Sequence, residues 1–140
     1  MSDRFFLDTN ILVYALIKSD LSKQAAAIQL ITDALDSGKG LISFQVVQEF
    51  FSVAFRRFDP PLTLVEAEDF ISMPLRPLLV VHSSYPLYSR ALQLTHRHSL
   101  SWYDSLIVAA ALEANCRVLY TEDLQHGQKF DNLRVQNPFL

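Results

Sequence analysis

Short strand-like apolar runs alternate with helical segments along this chain, and that alternation constrains its fold more than any other feature. Arg4 to Leu7 reads as a buried strand, and a helical run with Ile11, Leu12, Tyr14 and Ala15 apolar follows it. Ser22 is expected to cap a second helix from Lys23 to Asp36. There Ala26, Leu30 and Ala34, with Ala27, Ile31 and Leu35 beside them, keep the helical period. Ser37-Gly38-Lys39-Gly40 ends that helix, and Leu41-Ile42-Ser43 forms a second strand. A helix from Gln45 to Phe58 stops before Pro60-Pro61, since proline cannot continue it. Thr63 caps a further helix through Phe70, broken by Pro74 and Pro77, and Leu78 to Val81 is a third strand. Ser84 to His98 is helical, and Ser101 caps a helix from Trp102 to Ala114. Val118 to Tyr120 is a fourth strand and Leu133-Arg134-Val135 a fifth.

Such an order predicts an α/β fold with a central parallel sheet of about four to five short strands and helices on both sides. The 140 residues suit a single domain over residues 1–140, without repeat or internal linker. Half the residues are hydrophobic and 19% are charged, which excludes global disorder. A net charge of −3 argues against a constitutive coat of nucleic acid, but it leaves room for brief contact through a local basic patch. Cys116 is the only cysteine, so neither an intrachain disulfide nor a cysteine zinc cage can form. Met1-Ser2-Asp3-Arg4 does not read as a signal peptide, and no apolar run approaches the roughly 20 residues of a membrane span. A soluble cytoplasmic protein is expected.

Four acids stand where apolar structure should give way to a site. Asp8 closes the first strand, Glu49 lies within the apolar helix Phe44-Gln45-Val46-Val47-Gln48-Glu49-Phe50-Phe51, Asp104 opens an almost wholly apolar helix, and Asp123 follows the fourth strand. Each has an ordinary explanation. Asp8-Thr9-Asn10 can cap a helix, Glu49 can edge a solvated face, Asp104 can meet a helix dipole, and Asp123 can start a turn. In parallel sheets, however, ligands gather beyond the carboxyl ends of the strands, where Asp8 and Asp123 both fall.

In this order and spacing the four acids resemble the PIN domain, the nuclease fold of the toxin in many toxin–antitoxin pairs, and in size the VapC branch. The matching residues are Asp8-Thr9-Asn10, Glu49, the Tyr103-Asp104-Ser105-Leu106-Ile107-Val108-Ala109-Ala110-Ala111 helix and Thr121-Glu122-Asp123, so the resemblance spans essentially the whole chain. It implies an endoribonuclease that leaves 5′-phosphate and 3′-hydroxyl ends, a cognate antitoxin and a homodimer. Magnesium, with manganese as a substitute, prefers hard oxygen ligands and keeps several waters. Asp8 and Asp104 are expected as its direct ligands and Asp123 as a ligand or a support through water, with Glu49 completing the metal site by orienting or deprotonating the attacking water. Asp123 is preferred over Glu122. Thr9, Asn10 and Thr121 would hold carboxylate rotamers.

Arg56, Arg97 and Lys129 are the expected contacts to substrate phosphates, with Arg57, Arg90, His96 and His98 near them in type. Trp102 and Tyr103 can stack on a base, although core packing is the stronger expectation for both. Phe50, Phe51, Phe55, Phe58 and Phe70 are numerous enough to line a dimer or antitoxin groove as well as a core. Alternatives remain: a housekeeping RNA-processing nuclease, or a PIN fold that only binds proteins. A receiver-like phosphoacceptor lacks a paired-acid motif on the first strand and a lysine after a late one.

Overall fold

In the computed structural model, which describes residues 3–140, the chain begins with strand β1 (Phe5–Leu7), helix α1 (Thr9–Leu16) and helix α2 (Leu21–Ser37). The reading of Met1 and Ser2 lies outside the described residues. Next come β2 (Gly40–Ser43), α3 (Phe44–Arg56), α4 (Leu64–Phe70) and, after a π-helical turn over Ile71–Leu75, the short α5 (Arg76–Leu78). Then follow β3 (Leu79–Val81), α6 (Tyr85–His98), α7 (Trp102–Glu113), β4 (Val118–Tyr120), β5 (Lys129–Phe130) and β6 (Leu133–Gln136).

The strands form one sheet in the order β3-β2-β1-β4-β6-β5, parallel except for β5, which runs antiparallel to β6. The sheet therefore has six strands where four to five were expected. The extra one, β5, is two residues long, too short to carry a periodic signal. From β1 the chain moves outward through β2 to β3, then returns past β1 to β4. With right-handed crossovers, the helices before β3 lie on one face and α6 and α7 on the other. Consistent with this, α1 packs on α2 and α3, while α6 packs on α7. The reversal between β1 and β4 opens a crevice at the carboxyl end of the sheet.

Local chemistry sets most boundaries. Thr63 and Glu66 form a reciprocal capping box at α4, and the hydroxyls of Ser84 and Ser101 accept from Leu87 N and Asp104 N to start α6 and α7. The cap of α2 is Asp20 rather than Ser22: its carboxylate accepts from Lys23 N at 3.0 Å, so the helix begins at Leu21. Likewise α3 ends at Arg56, short of Phe58. Helix α7 is buried from Ser105 to Ala111 on all sides, which makes it a central helix rather than an amphipathic one.

Gly40 is where α2 and the sheet meet most closely. A Cβ there would lie 2.2 Å from Ala34 Cβ and 2.7 Å from Phe5 Cε2. Gly40→Ala is therefore expected to destabilise the chain by about 1–3 kcal/mol, the usual cost of overpacking. Urea unfolding of the variant measures this, and an unchanged midpoint would contradict the packing described.

Candidate active site

The crevice between β1 and β4 holds a pocket of about 390 Å³ whose lining includes Asp8, Glu49, Asp104 and Asp123. Four separate segments thus bring their acids together: the end of β1, the middle of α3, the first turn of α7 and the loop after β4. Asp8 is buried at 6% exposure. Its backbone N–H donates to Tyr120 O at 3.1 Å, which ties the end of β1 to β4. Its side chain caps α1, accepting from Thr9 N at 2.7 Å, and also accepts from the Thr121 hydroxyl at 2.8 Å.

Thr121 is the hub beneath the pocket. While donating to Asp8, its oxygen accepts from Asn10 Nδ2 at 3.3 Å and from Asp123 N at 3.0 Å. Asn10 Nδ2 also donates to Asp123 Oδ2 at 3.2 Å. On the other side, Glu49 Oε1 accepts from the Thr9 hydroxyl at 3.0 Å and from Gln45 Nε2 at 3.4 Å. Gln45 Nε2 reaches Tyr103 O at 3.2 Å as well, joining α3 to the start of α7. Glu122 is engaged elsewhere, by the Tyr14 hydroxyl at 2.7 Å and the Lys23 ammonium at 3.2 Å. Of the two neighbouring acids, Asp123 is the one tied to the Asn10–Thr121 network.

Burial pushes the Asp8 carboxyl up to about 7, with the charges of Asp123 and Glu49 adding to the effect and the bonds from Thr121 and Thr9 opposing it. Burial also raises Glu49, where the bonds from Thr9 and Gln45 oppose it and the charges of Asp123 and Asp104 add to it. Asp123 is raised mainly by burial, and Asp104 and Glu122 reinforce the shift. Five carboxylates and one guanidinium, that of Arg57, line the pocket. In addition, two buried oxygens of lining residues, Asn10 Oδ1 and Gln45 Oε1, have no protein donor.

This donor set is all oxygen and deficient in positive charge, which suits a hard divalent cation. Among the described residues, no group of three or more Asp, Glu, His or Cys side chains is placed to hold a metal ion by itself. Magnesium does not require one, because it retains waters and binds through one or two carboxylates.

The other residues singled out in the sequence fall in several places. Arg56 is exposed and its Nε donates to Ser52 O of its own helix, while its neighbour Arg57 lines the pocket. Arg97, in the last turn of α6, does not line it, and Lys129 lines a different cavity. Nor do His96 and His98 reach it; His98 packs edge-on against Phe130. Trp102 stacks on Tyr88, and Tyr103, 64% exposed, borders the pocket rather than the core. Most of the aromatic surplus is spent in the core: Phe50 is fully buried and stacks on Phe70, with Phe51 and Phe58 packed beside it, and Phe55 remains exposed. Gln45 and Tyr14 were missed as site residues, while Arg57, named beside Arg56 as a phosphate contact, lines the pocket. A buried glutamine one turn before Glu49 was the readable signal for the first.

Comparison with known proteins places this geometry in context. A family model described as PIN domain matches residues 5–131. No curated protein matches the sequence significantly. Among solved structures, a toxin–antitoxin complex from Klebsiella pneumoniae is similar at 20% identity, over 95% of this chain and 96% of that one, with a TM-score of 0.64. A DNA-bound VapBC from Salmonella typhimurium is similar at 19% identity over 99% of both chains, TM-score 0.65. VapC20 of Mycobacterium tuberculosis, described as a sarcin–ricin loop cleaving toxin, is similar at 18% identity over 82% of this chain and 86% of that one, TM-score 0.60. At these identities the likeness is one of fold.

The raised carboxyl of Asp8 has a consequence for stability. Between the ordinary aspartate value of 3.8 and about 7 the folded chain holds a proton that the unfolded chain has lost. Stability from this group is therefore lost as pH rises through that window. In EDTA, the melting temperature is expected to fall between about pH 4 and pH 7, and magnesium is expected to restore part of it at the upper end by binding the folded state alone. A melting temperature that rises with pH and ignores magnesium would contradict this electrostatic picture.

Proposed function

The chain belongs to the PIN-domain family, and from that premise and the gathering of its acids we propose that it is a magnesium-dependent endoribonuclease, the toxin of a toxin–antitoxin pair. The observation that carries this reading is that Asp8, Glu49, Asp104 and Asp123, drawn from four distant segments, line one pocket at the switch point of the sheet. A phosphodiester hydrolase needs such a pocket, whereas a purely protein-binding module has no use for a buried carboxylate with three further acids around it.

Asp8 and Asp104 would hold the ion, with Asp123 beside them directly or through the ion's waters, and with manganese as a substitute. When bound, a divalent cation neutralises charge on the phosphoryl oxygens and lowers the pKa of water beside it. Asp8 is fixed for this role by Thr9 N and the Thr121 hydroxyl, and Asp123 by the Asn10 amide. Glu49, half-buried and raised in pKa, accepts the proton of the attacking water, its rotamer set by Thr9 and Gln45. Tyr103, exposed at the rim, offers a face for a base to stack on, and Arg57 is the one guanidinium available there to a phosphate. The expected products carry 5′-phosphate and 3′-hydroxyl ends.

RNA as substrate and an antitoxin as partner are supported by what similar structures are described as: one is a sarcin–ricin loop cleaving toxin, and another is a toxin–antitoxin complex. Association with a second copy is supported by the exposed row Tyr85, Tyr88 and Leu92 on α6, with Trp102 stacked on Tyr88. A cytoplasmic location is part of the same reading. Among the described residues no helix is long and apolar enough to cross a membrane.

Purified protein incubated with end-labelled total RNA and magnesium or manganese is expected to give discrete cleavage bands that EDTA abolishes. Glu49→Gln should slow cleavage by at least about 100-fold, the lower range for loss of a general base, and Asp104→Asn should abolish it. Bands that persist in EDTA, or at full strength in both variants, would refute the reading.

A further inference from the structure

The second large cavity lies at the amino end of the sheet, opposite the acids. It measures about 1170 Å³, and its lining includes Arg90 from α6, Arg117 just before β4, Lys129 from β5 and Arg134 from β6. Among the described residues the acids in the lining are Asp3 and Asp131, and Asp3 is paired with Lys39, with the charge of Arg117 also acting on it. All four cations are exposed, and none is in an ion pair among the described residues. In a chain of net charge −3 this is a marked local reversal.

Strand pairing makes it more pointed. Lys129 and Arg134 are direct cross-strand partners in the antiparallel β5–β6 ladder, and Arg134 N donates to Arg117 O at 2.8 Å. Like charges placed opposite each other on a ladder are destabilising unless an anion lies between them. Meanwhile the acid pocket, with five carboxylates and one arginine, repels the phosphates it would cleave. With Arg57 as the guanidinium there, affinity for a long polyanion gains from cations elsewhere on the molecule.

We propose that this basic cavity binds the sugar–phosphate backbone of RNA, holding the substrate of the acid pocket at a second point on the opposite end of the sheet. It rests on the ribonuclease reading for the identity of the polyanion. The strand that separates the two ends, β4, is three residues long, about 10 Å, and β5 is an open edge strand that an RNA segment can pass.

The test measures binding of fluorescein-labelled single-stranded RNA to the full chain in EDTA across a salt series, so that it is read without cleavage. Arg117→Gln/Arg134→Gln is expected to weaken binding by about 10-fold or more and to reduce the slope of log affinity against log salt by about 1.4, at about 0.7 per phosphate contact. The control Lys18→Gln/Arg76→Gln removes the same charge from positions that line neither cavity and is expected to bind as the wild type does. Equal loss in the control would reduce the effect to net charge, and undiminished binding by the cavity variant would remove the site; either overturns the proposal. So would displacement of the RNA by polyglutamate as readily as by unlabelled RNA, which would point to an acidic protein partner. Cleavage of total RNA by the same preparation in magnesium is scored separately, so loss of the nuclease reading and loss of this site are distinguishable.

Discussion

One buried carboxylate, that of Asp8, joins the parts of this structure. Its backbone closes β1 onto β4, its side chain starts α1, and the same side chain is gripped by Thr121 from the far side of the switch point. Two hydrogen bonds do not compensate a charge at 6% exposure with two other acids nearby, and the carboxyl is pushed up to about 7 as a result. Capping alone would be served by a neutral serine or asparagine at no such cost. The strain is intelligible when a cation completes the site, in the manner of functional residues that give up stability for activity.

The fold divides its electrostatics between the two ends of the sheet. Acids from β1, α3, α7 and the loop after β4 gather where the strands point, and cations from α6, β5, β6 and the approach to β4 gather where they begin. The central helix α7 makes this arrangement rigid: buried from Ser105 to Ala111, it fixes Asp104 at its first turn against Gln45 of α3 through the Tyr103 carbonyl. The acid and basic sets therefore stand at opposite ends of the sheet.

Much of this was legible in the sequence, for identifiable reasons. The α/β order, the caps Thr63, Ser84 and Ser101, and the acids at strand ends are local signals, each readable within a few residues. What escaped depends on contacts distant in sequence. Asp20 outcompeted Ser22 because α2 starts on Leu21, an exposed apolar residue that no helical period would place. Strand β5 exists because Phe130 is buried beside Leu133, a pairing invisible in a two-residue run. Arg56 and Arg57 differ only in which side of the end of α3 they leave, and Tyr103 reads as core because a helix buried all round has no period to mark its exposed turn. The choice between Glu122 and Asp123 likewise turned on Tyr14 and Lys23, about a hundred residues upstream.

The central claim, that the gathered acids form a cation site, is met most directly by anomalous scattering from crystals soaked in manganese. The expected result is a peak in the pocket between β1 and β4, bonded to Asp8 and to Asp104 or Asp123, that disappears in the Asp8→Asn chain. A pocket without a peak in well-soaked crystals, or a peak held by Glu122 away from Asp8, would contradict it.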